Sequence, residues 1–324
     1  MRILLTGGTG FLGTHVCKEF IKHGYTLRNN ITDCLRSHIN YSDEVWIAKR
    51  PAFDFEQPHT VNYYTNIIKP DVILHMAALC GGILANKNSP ADFLHKNMDM
   101  SSTIFHAANK NGCSKVYSLG SVCAYPKHCQ VPFKEDDLWT GYPEETNAPY
   151  GLSKRMLMLL GQTYRQQYSI GGAHLIPVNL YGEHDHFDLT NSHVIPALIN
   201  KFSNAVANNL PTVNCWGTGE ATREFLYAGD AAEAIVKAVL TNLDTDLPIN
   251  LGTGKEISIK DLSYLIGELT GFSGEIVFTN EVSDGQPKRM LDVSRAKEIM
   301  QWEAGTNLRN GLIKTISWYQ ANLR

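Results

Sequence analysis

The chain has 324 residues, 43% of them hydrophobic and 19% charged, enough for one large or two modest domains with a substantial core. A formal net charge of -3 lacks the polyelectrolyte bias of a nucleic-acid binder, and no apolar run reaches the ~18 residues that a membrane helix needs. Seven cysteines, at positions 17, 34, 80, 113, 123, 129 and 215, show no CxxC spacing, which argues against a disulfide framework or a structural zinc site. Reduced thiols in a cytoplasmic protein are the expectation.

Arg2 to Thr6 reads as a buried strand that runs straight into Gly7-Gly8-Thr9-Gly10-Phe11-Leu12-Gly13, rather than as a signal peptide. A helix from Phe11 to Ile21 follows. The polar stretch Gly24–Ser42 reads as an insertion or surface excursion. Glu44–Ala48 is expected to be the second strand and Val72–Met76 the third. Ala91–Asn111 has helical periodicity, Lys115–Ser118 reads as the fourth strand, and Tyr150–Tyr168 as the next long helix. A strand at Leu175–Val178 closes this rhythm. Beyond Asn179, loops fall at Glu183–Ser192 and Trp216–Thr222. Asp230 is expected to cap a helix over Ala231–Leu240, and Ser258 with Asp261 resembles a capping box. The last helix spans Leu308–Leu323. Strands alternating with helices predict an α/β fold of Rossmann type, with a doubly wound parallel sheet. A smaller, discontinuous C-terminal α/β domain is expected beside it. Residues 1–178 and 220–251 make the cofactor half; 179–219 and 252–324 make the substrate half.

Gly7, Gly10 and Gly13 sit between a predicted strand and a predicted helix. There they permit a tight turn, close approach of a pyrophosphate and close helix–sheet packing. After the second strand, where an acid would favour NAD, stand Ala48, Lys49 and Arg50. Two cations suit a 2′-phosphate, so NADP(H) is expected, bound more tightly as NADPH than NADH. Tyr150 and Lys154 are one helical turn apart, which places the ammonium near the phenol and would lower its pKa toward working pH. Taken alone, Cys123 reads as a buried, inert thiol and His193 as a loop or helix-cap residue. The stretch His184-Asp185-His186-Phe187-Asp188 fits no common zinc spacing and reads as a polar loop, so no metal is expected. His128 and Cys129 read as bystanders.

Together, the glycine turn, Ser121, Tyr150 and Lys154 resemble the extended short-chain dehydrogenases/reductases. Further motifs resemble the GDP-L-fucose synthase family within them. They are Ala77-Ala78-Leu79-Cys80-Gly81-Gly82-Ile83, Gly120–Lys127, Pro177–Asp185, Asn191–Leu198, Trp216–Gly219, Arg223-Glu224-Phe225 and Ser283–Lys288. The likeness spans nearly the whole chain. It implies conversion of GDP-4-keto-6-deoxy-D-mannose to GDP-L-fucose, by epimerisation at C3 and C5 and then NADPH reduction at C4. By resemblance Cys123 and His193 are the base and acid of epimerisation. Tyr150 and Ser121 hold the ketone oxygen, and Lys154 holds the nicotinamide ribose. Phe11, Leu12, Ala77, Ala78, Leu119, Gly120, Pro177, Asn179, Leu180 and His193 join the cofactor wall. Asn179, Lys201, Trp216, Arg223, Asp284 and Lys288 face the nucleotide-sugar. Homodimerisation through Ala91–Asn111 and Tyr150–Tyr168 is implied as well. Three alternatives stay open: a colitose-type synthase acting on a deoxy analogue, a 4,6-dehydratase or 4-epimerase that recycles its cofactor, and a non-catalytic NADP sensor.

Overall fold

The computed structural model describes residues 1–30, 43–188, 192–279 and 286–322. Its largest sheet is built from β1 (Arg2–Thr6), β2 (Thr26–Arg28), β3 (Glu44–Ile47), β4 (Val72–His75), β5 (Lys115–Leu119), β6 (His174–Pro177) and β10 (Ile249–Leu251). These seven strands run parallel in the order β10-β6-β5-β4-β1-β3-β2. Successive side chains of a strand point to opposite faces, and both faces of this sheet are covered. Ile3 and Leu5 therefore enter one core, with Val16 and Phe20 of α1 (Phe11–Lys22) and Ile235 of α7 (Ala228–Leu240). Leu4 enters the opposite core, with Val61 of α2 (Pro58–Ile68), Ile104 of α4 (Pro90–Lys110) and Leu157 of α5 (Ala148–Tyr168). Helix α3 (Ile83–Asn88) is a short turn ahead of α4. The Rossmann-type, doubly wound expectation holds.

The second half of the chain builds two smaller sheets over a third core. In one, β9 (Thr222–Tyr227) is flanked by β11 (Glu256–Ser258) and β13 (Lys288–Arg289) and also pairs with β7 (Asn179–Tyr181). In the other, β12 (Glu275–Thr279) pairs with β8 (Thr212–Trp216). Their core joins Phe202 of α6 (Val194–Ala207), Ile266 of α8 (Ile259–Thr270) and Leu312 of α10 (Leu308–Asn322). Helix α9 (Ser294–Met300) packs back near β10. Glu224, fully buried in β9, accepts from the backbone amides of Thr253, Gly254 and Leu291. That carboxylate ties three chain segments together.

Three local expectations are corrected. A short edge strand, β2, opens the Gly24–Ser42 stretch, so Glu44–Ile47 is third in chain order; three residues are too few to show alternation. Residues 31–42 lie outside the described residues. Asp230 does not cap α7, which already starts at Ala228; its carboxylate instead accepts from the Thr306 amide and hydroxyl. Strand β9 lies in a smaller sheet, whereas α7 and β10 return to the large one. Ser258 does accept from the Asp261 amide at 2.9 Å, as a capping residue should.

Candidate active site

Ligands of open α/β sheets sit beyond the carboxyl ends of the strands, where the strand order reverses. Here that point lies between β1 and β4, and a cavity of about 1280 Å³ opens above it. The glycine turn forms one end. Gly7 has φ +75°, a left-handed backbone that side chains disfavour, and a Cβ there would come 2.8 Å from the Ala77 amide at the end of β4. A Cβ on Gly13 would collide with the Gly7 carbonyl. One on Gly10 would meet no protein atom nearer than 3.4 Å, so the space in front of Gly10 is open to a ligand. Helix α1 has no side-chain cap, leaving its first amides directed at that space. A dinucleotide pyrophosphate fits this cradle.

Lys49 and Arg50 line the cavity rim. Arg50 is shared with Asp54 at 3.5 Å and Glu56 at 3.7 Å, whereas Lys49 has no ion-pair partner among the described residues. Lys49 is therefore the more available cation for a 2′-phosphate. Phe11, Leu12, Ala77, Ala78, Leu119, Gly120, Pro177, Asn179 and Leu180 line the same cavity. Asn179 is fixed there by donating to the Glu224 carbonyl at 2.9 Å.

Deeper in the cavity stand Ser121, Cys123, Tyr150, Lys154 and His193. Ser121 follows β5 and accepts from the Cys123 amide at 3.2 Å, which opens a short helical turn over Val122–Ala124. That turn lies directly on α5, because Gly151 leaves room for the Cys123 carbonyl; any Cβ at 151 would strike it. The glycine inside the Tyr150–Lys154 motif thus brings sulfur and phenol side by side. Lys154 donates to the Leu119 carbonyl at 3.0 Å, and its ammonium lies 5.7 Å from the Tyr150 ring centre.

The electrostatics correct one expectation. The Tyr150 phenol is pushed well up, first by burial, then by the nearby sulfurs of Cys80 and Cys123, with the Ser121 hydrogen bond opposing. Lys154 is itself pulled down to about 8 by burial. Desolvation outweighs the lysine, and the phenol is held protonated, which suits a proton donor. His193 is pushed up to about 9, chiefly by its hydrogen bond to Cys80, against burial. Two further histidines lie buried in the sheet beneath the cavity. His75 bonds to Thr6 and His174 to Ser118, each at 2.8 Å, and burial with the Lys154 charge pulls both down to about 3.

Three cavity groups escaped the sequence reading. Cys80, placed by the end of β4, stood in a quoted motif but received no role. Asp185, in the loop read as merely polar, is buried and pushed up to about 6 by burial. Arg289 is buried, points Nη1 at the Cys123 sulfur from 3.7 Å and donates from Nε to Gln286 at 2.8 Å. Alternation along β13 explains the third. Arg289 faces inward, while its neighbour Lys288 turns out toward Glu256, 3.8 Å away, and does not line the cavity. At the far end Lys201 lies 4.5 Å over the Trp216 ring, which is 47% exposed, with Arg223 beside them. Asp284 lies outside the described residues. Among the described residues no three His, Cys, Asp or Glu side chains gather as a metal site; His184 bonds to Lys18 at 2.9 Å instead. Cys129 approaches Asp137 and does not line the cavity.

Over residues 3–252 the chain matches the NAD dependent epimerase/dehydratase family. It is 37% identical to the GDP-L-fucose synthase of Sinorhizobium fredii, across 89% of this chain and 91% of that one. It is 33% identical to the GDP-L-colitose synthase of Yersinia pseudotuberculosis, across 98% of each. The solved structure of a GDP-L-fucose synthetase from Naegleria fowleri bound to NADP superposes with a TM-score of 0.84, at 26% identity, covering 99% of this chain and 93% of that one.

Proposed function

We propose that this chain, which belongs to the NAD dependent epimerase/dehydratase family and within it to the GDP-L-fucose synthases, converts GDP-4-keto-6-deoxy-D-mannose to GDP-L-fucose with NADPH. One observation carries the reading: a single cavity brings the glycine cradle together with Ser121, Cys123, Tyr150, Lys154 and His193. The relatives' names supply the substrate class.

The C4 ketone acidifies the C–H bonds at C3 and C5, because the carbanion left behind delocalises as an enolate. Tyr150 and Ser121 hydrogen-bond the ketone oxygen and stabilise that enolate in a water-poor site. Cys123 removes a proton from one face and His193 returns one to the other; a positioned acid or base contributes ~10²–10⁴-fold. Arg289 stands where it would face the charge that develops on the Cys123 sulfur. When bound, NADPH supplies the hydride that reduces C4. Tyr150, kept protonated, gives its proton to the new alkoxide, and Lys154 holds the ribose. The turn at Gly7, Gly10 and Gly13 would hold the pyrophosphate, and Lys49 with Arg50 the 2′-phosphate. Trp216 offers an exposed ring face to the guanine. Lys201, Arg223 and Asn179, together with Asp284, take the rest of the nucleotide-sugar.

In this reading residues 1–178 and 228–251 serve the cofactor, and 179–227 with 252–324 serve the sugar nucleotide. The protein is a cytoplasmic homodimer that meets its copy through α4 and α5. Those helices pack on each other and expose Met98 and Leu159. No helix among the described residues is long and apolar enough to cross a membrane.

The likeness to the colitose enzyme keeps a deoxy analogue as the second reading, in which only C5 is epimerised. Incubation with GDP-4-keto-6-deoxy-D-mannose and NADPH in D₂O separates the two. The expected result is stoichiometric loss of nicotinamide absorbance, and a GDP-L-fucose product deuterated at C3 and C5. Deuterium at C5 alone supports the second reading, and NADPH binding without oxidation by either ketone overturns both.

A further inference from the structure

Strand β13 consists of Lys288 and Arg289, and its pairing with Thr222 and Arg223 of β9 fixes which of the two turns inward. Arg289 is 9% exposed and forms no ion pair with a carboxylate among the described residues. A buried charge is costly to keep unless an opposite charge or good acceptors meet it. Its planar fork is spent in two directions. Nε donates to Gln286 Oε1 at 2.8 Å, and Nη1 donates toward Cys123 Sγ at 3.7 Å. Gln286, itself 6% exposed, is held by donating from Nε2 to the Lys127 carbonyl at 2.8 Å. Lys127 lies four residues beyond Cys123, so the guanidinium is aimed from the same chain segment that carries the sulfur.

The sulfur is mounted as firmly. Ser121 caps the turn over Val122–Ala124, and Arg155 of α5 donates from Nε to the Ala124 carbonyl at 2.6 Å. Cys123 is half-buried and lines the cavity. Tyr150 also faces it but is held protonated and brings no positive charge. The Lys154 ammonium is turned to the Leu119 carbonyl at 3.0 Å. The cation in hydrogen-bond contact with the sulfur is therefore Arg289.

We infer that Arg289 is the positioning residue of the Cys123 base: Gln286 aims its guanidinium so that Nη1 meets the sulfur and supplies the counter-charge of the thiolate. The inference deepens the epimerase–reductase reading above and rests on it. The Cys123 thiol first gives its proton to solvent. The thiolate then takes a proton from a carbon beside the ketone. An S–H bond forms, a C–H bond breaks, and the electron pair passes to the C4 oxygen as enolate. Arg289 stays protonated throughout and exchanges no proton, so its part is a charge-assisted hydrogen bond to the sulfur. Arginine suits the place because its fork reaches Gln286 and Cys123 at once, which the point charge of a lysine does not.

The test measures alkylation of Cys123 by iodoacetamide in the full chain saturated with NADP⁺, read by mass spectrometry of the Cys123 peptide so that other thiols do not interfere. Arg289→Gln is expected to slow it roughly tenfold at pH 7 and to match the wild type near pH ~10, where a thiol ionises without help. Deuterium incorporation at C3 and C5 of GDP-4-keto-6-deoxy-D-mannose, followed in D₂O with NADP⁺ in place of NADPH, should fall by about the same factor. Arg289→Lys keeps the charge without the fork and should recover part of both rates at pH 7. A merely structural role predicts that the glutamine and lysine variants behave alike, with a loss that high pH does not repair; that result overturns the inference. So does wild-type alkylation at pH 7 in Arg289→Gln. A drop in GDP affinity alongside it would assign the guanidinium to the diphosphate instead. Should Arg289→Gln fail to fold, Arg289→Met, which fills similar space without charge, decides. If the wild type incorporates no deuterium at all, the epimerase reading fails while the alkylation rates still judge the pair.

Discussion

Two regions of this molecule use histidine in opposite ways. In the sheet floor, His75 and His174 are enclosed by strands, bonded to a threonine and a serine, and pulled down to about 3. At the cavity wall, the Cys80 sulfur and the Asp185 carboxylate push His193 up to about 9. Burial opposes the charged imidazole in both places. Below, burial and the Lys154 charge act together; above, Cys80 and Asp185 outweigh burial. Depth differs as well: the floor histidines are enclosed, whereas the His193 side chain is exposed to the cavity.

The comparison assigns stability to the floor and turnover to the wall, and three substitutions probe it. The largest effect is expected from Tyr150→Phe, which keeps the ring packed but removes the proton held at the ketone oxygen. NADPH oxidation should fall by ~10²–10⁴-fold with NADPH affinity little changed. A rate within threefold of the wild type would break the assignment of the wall to chemistry. His174→Asn comes next. It disturbs a buried hydrogen-bonded pair and should cost about 1–3 kcal/mol in urea unfolding while leaving the rate per folded molecule intact. The sign with pH follows from linkage. The two floor histidines are pulled down on folding, so their neutral forms stabilise the fold fully above pH ~6.5, and that contribution is lost as pH falls toward about 3. His174→Asn should therefore flatten the loss of stability over that acid range; an unchanged acid profile would count against the floor's assigned role. The smallest effect is expected from Lys154→Gln, read by histidine NMR. Removing that cation should raise the titration of both His75 and His174, because its charge lowers each. An unmoved pair would mean that burial alone sets them.

Much of this was legible in the sequence. Glycine spacing after a strand, and the Tyr150–Lys154 step along a helix, are local patterns whose geometry survives folding. The parallel sheet followed from the alternation of strands and helices. What stayed hidden depends on non-local contacts. Cys80 shows its place only when the segment after β4 and the start of α6 line one cavity, more than a hundred residues apart in the chain. Arg289 could not be told from Lys288 until β13 took its register against β9 and turned one side chain inward. The Tyr150 phenol was misjudged because spacing reveals a nearby lysine but not the desolvation that outweighs it. Asp230 looked like a cap because its helix begins three residues earlier than the pattern implied.

The Glu224 carboxylate carries a mechanical consequence. Arg223, at the far end of the cavity, precedes it in the chain, and Arg289, beside the Cys123 sulfur, lies two residues before the Leu291 amide that it grips. Both guanidinium groups are thereby mounted on one stiff bracket. A load on either arginine is borne by the same carboxylate, so the two ends of the cavity share one support.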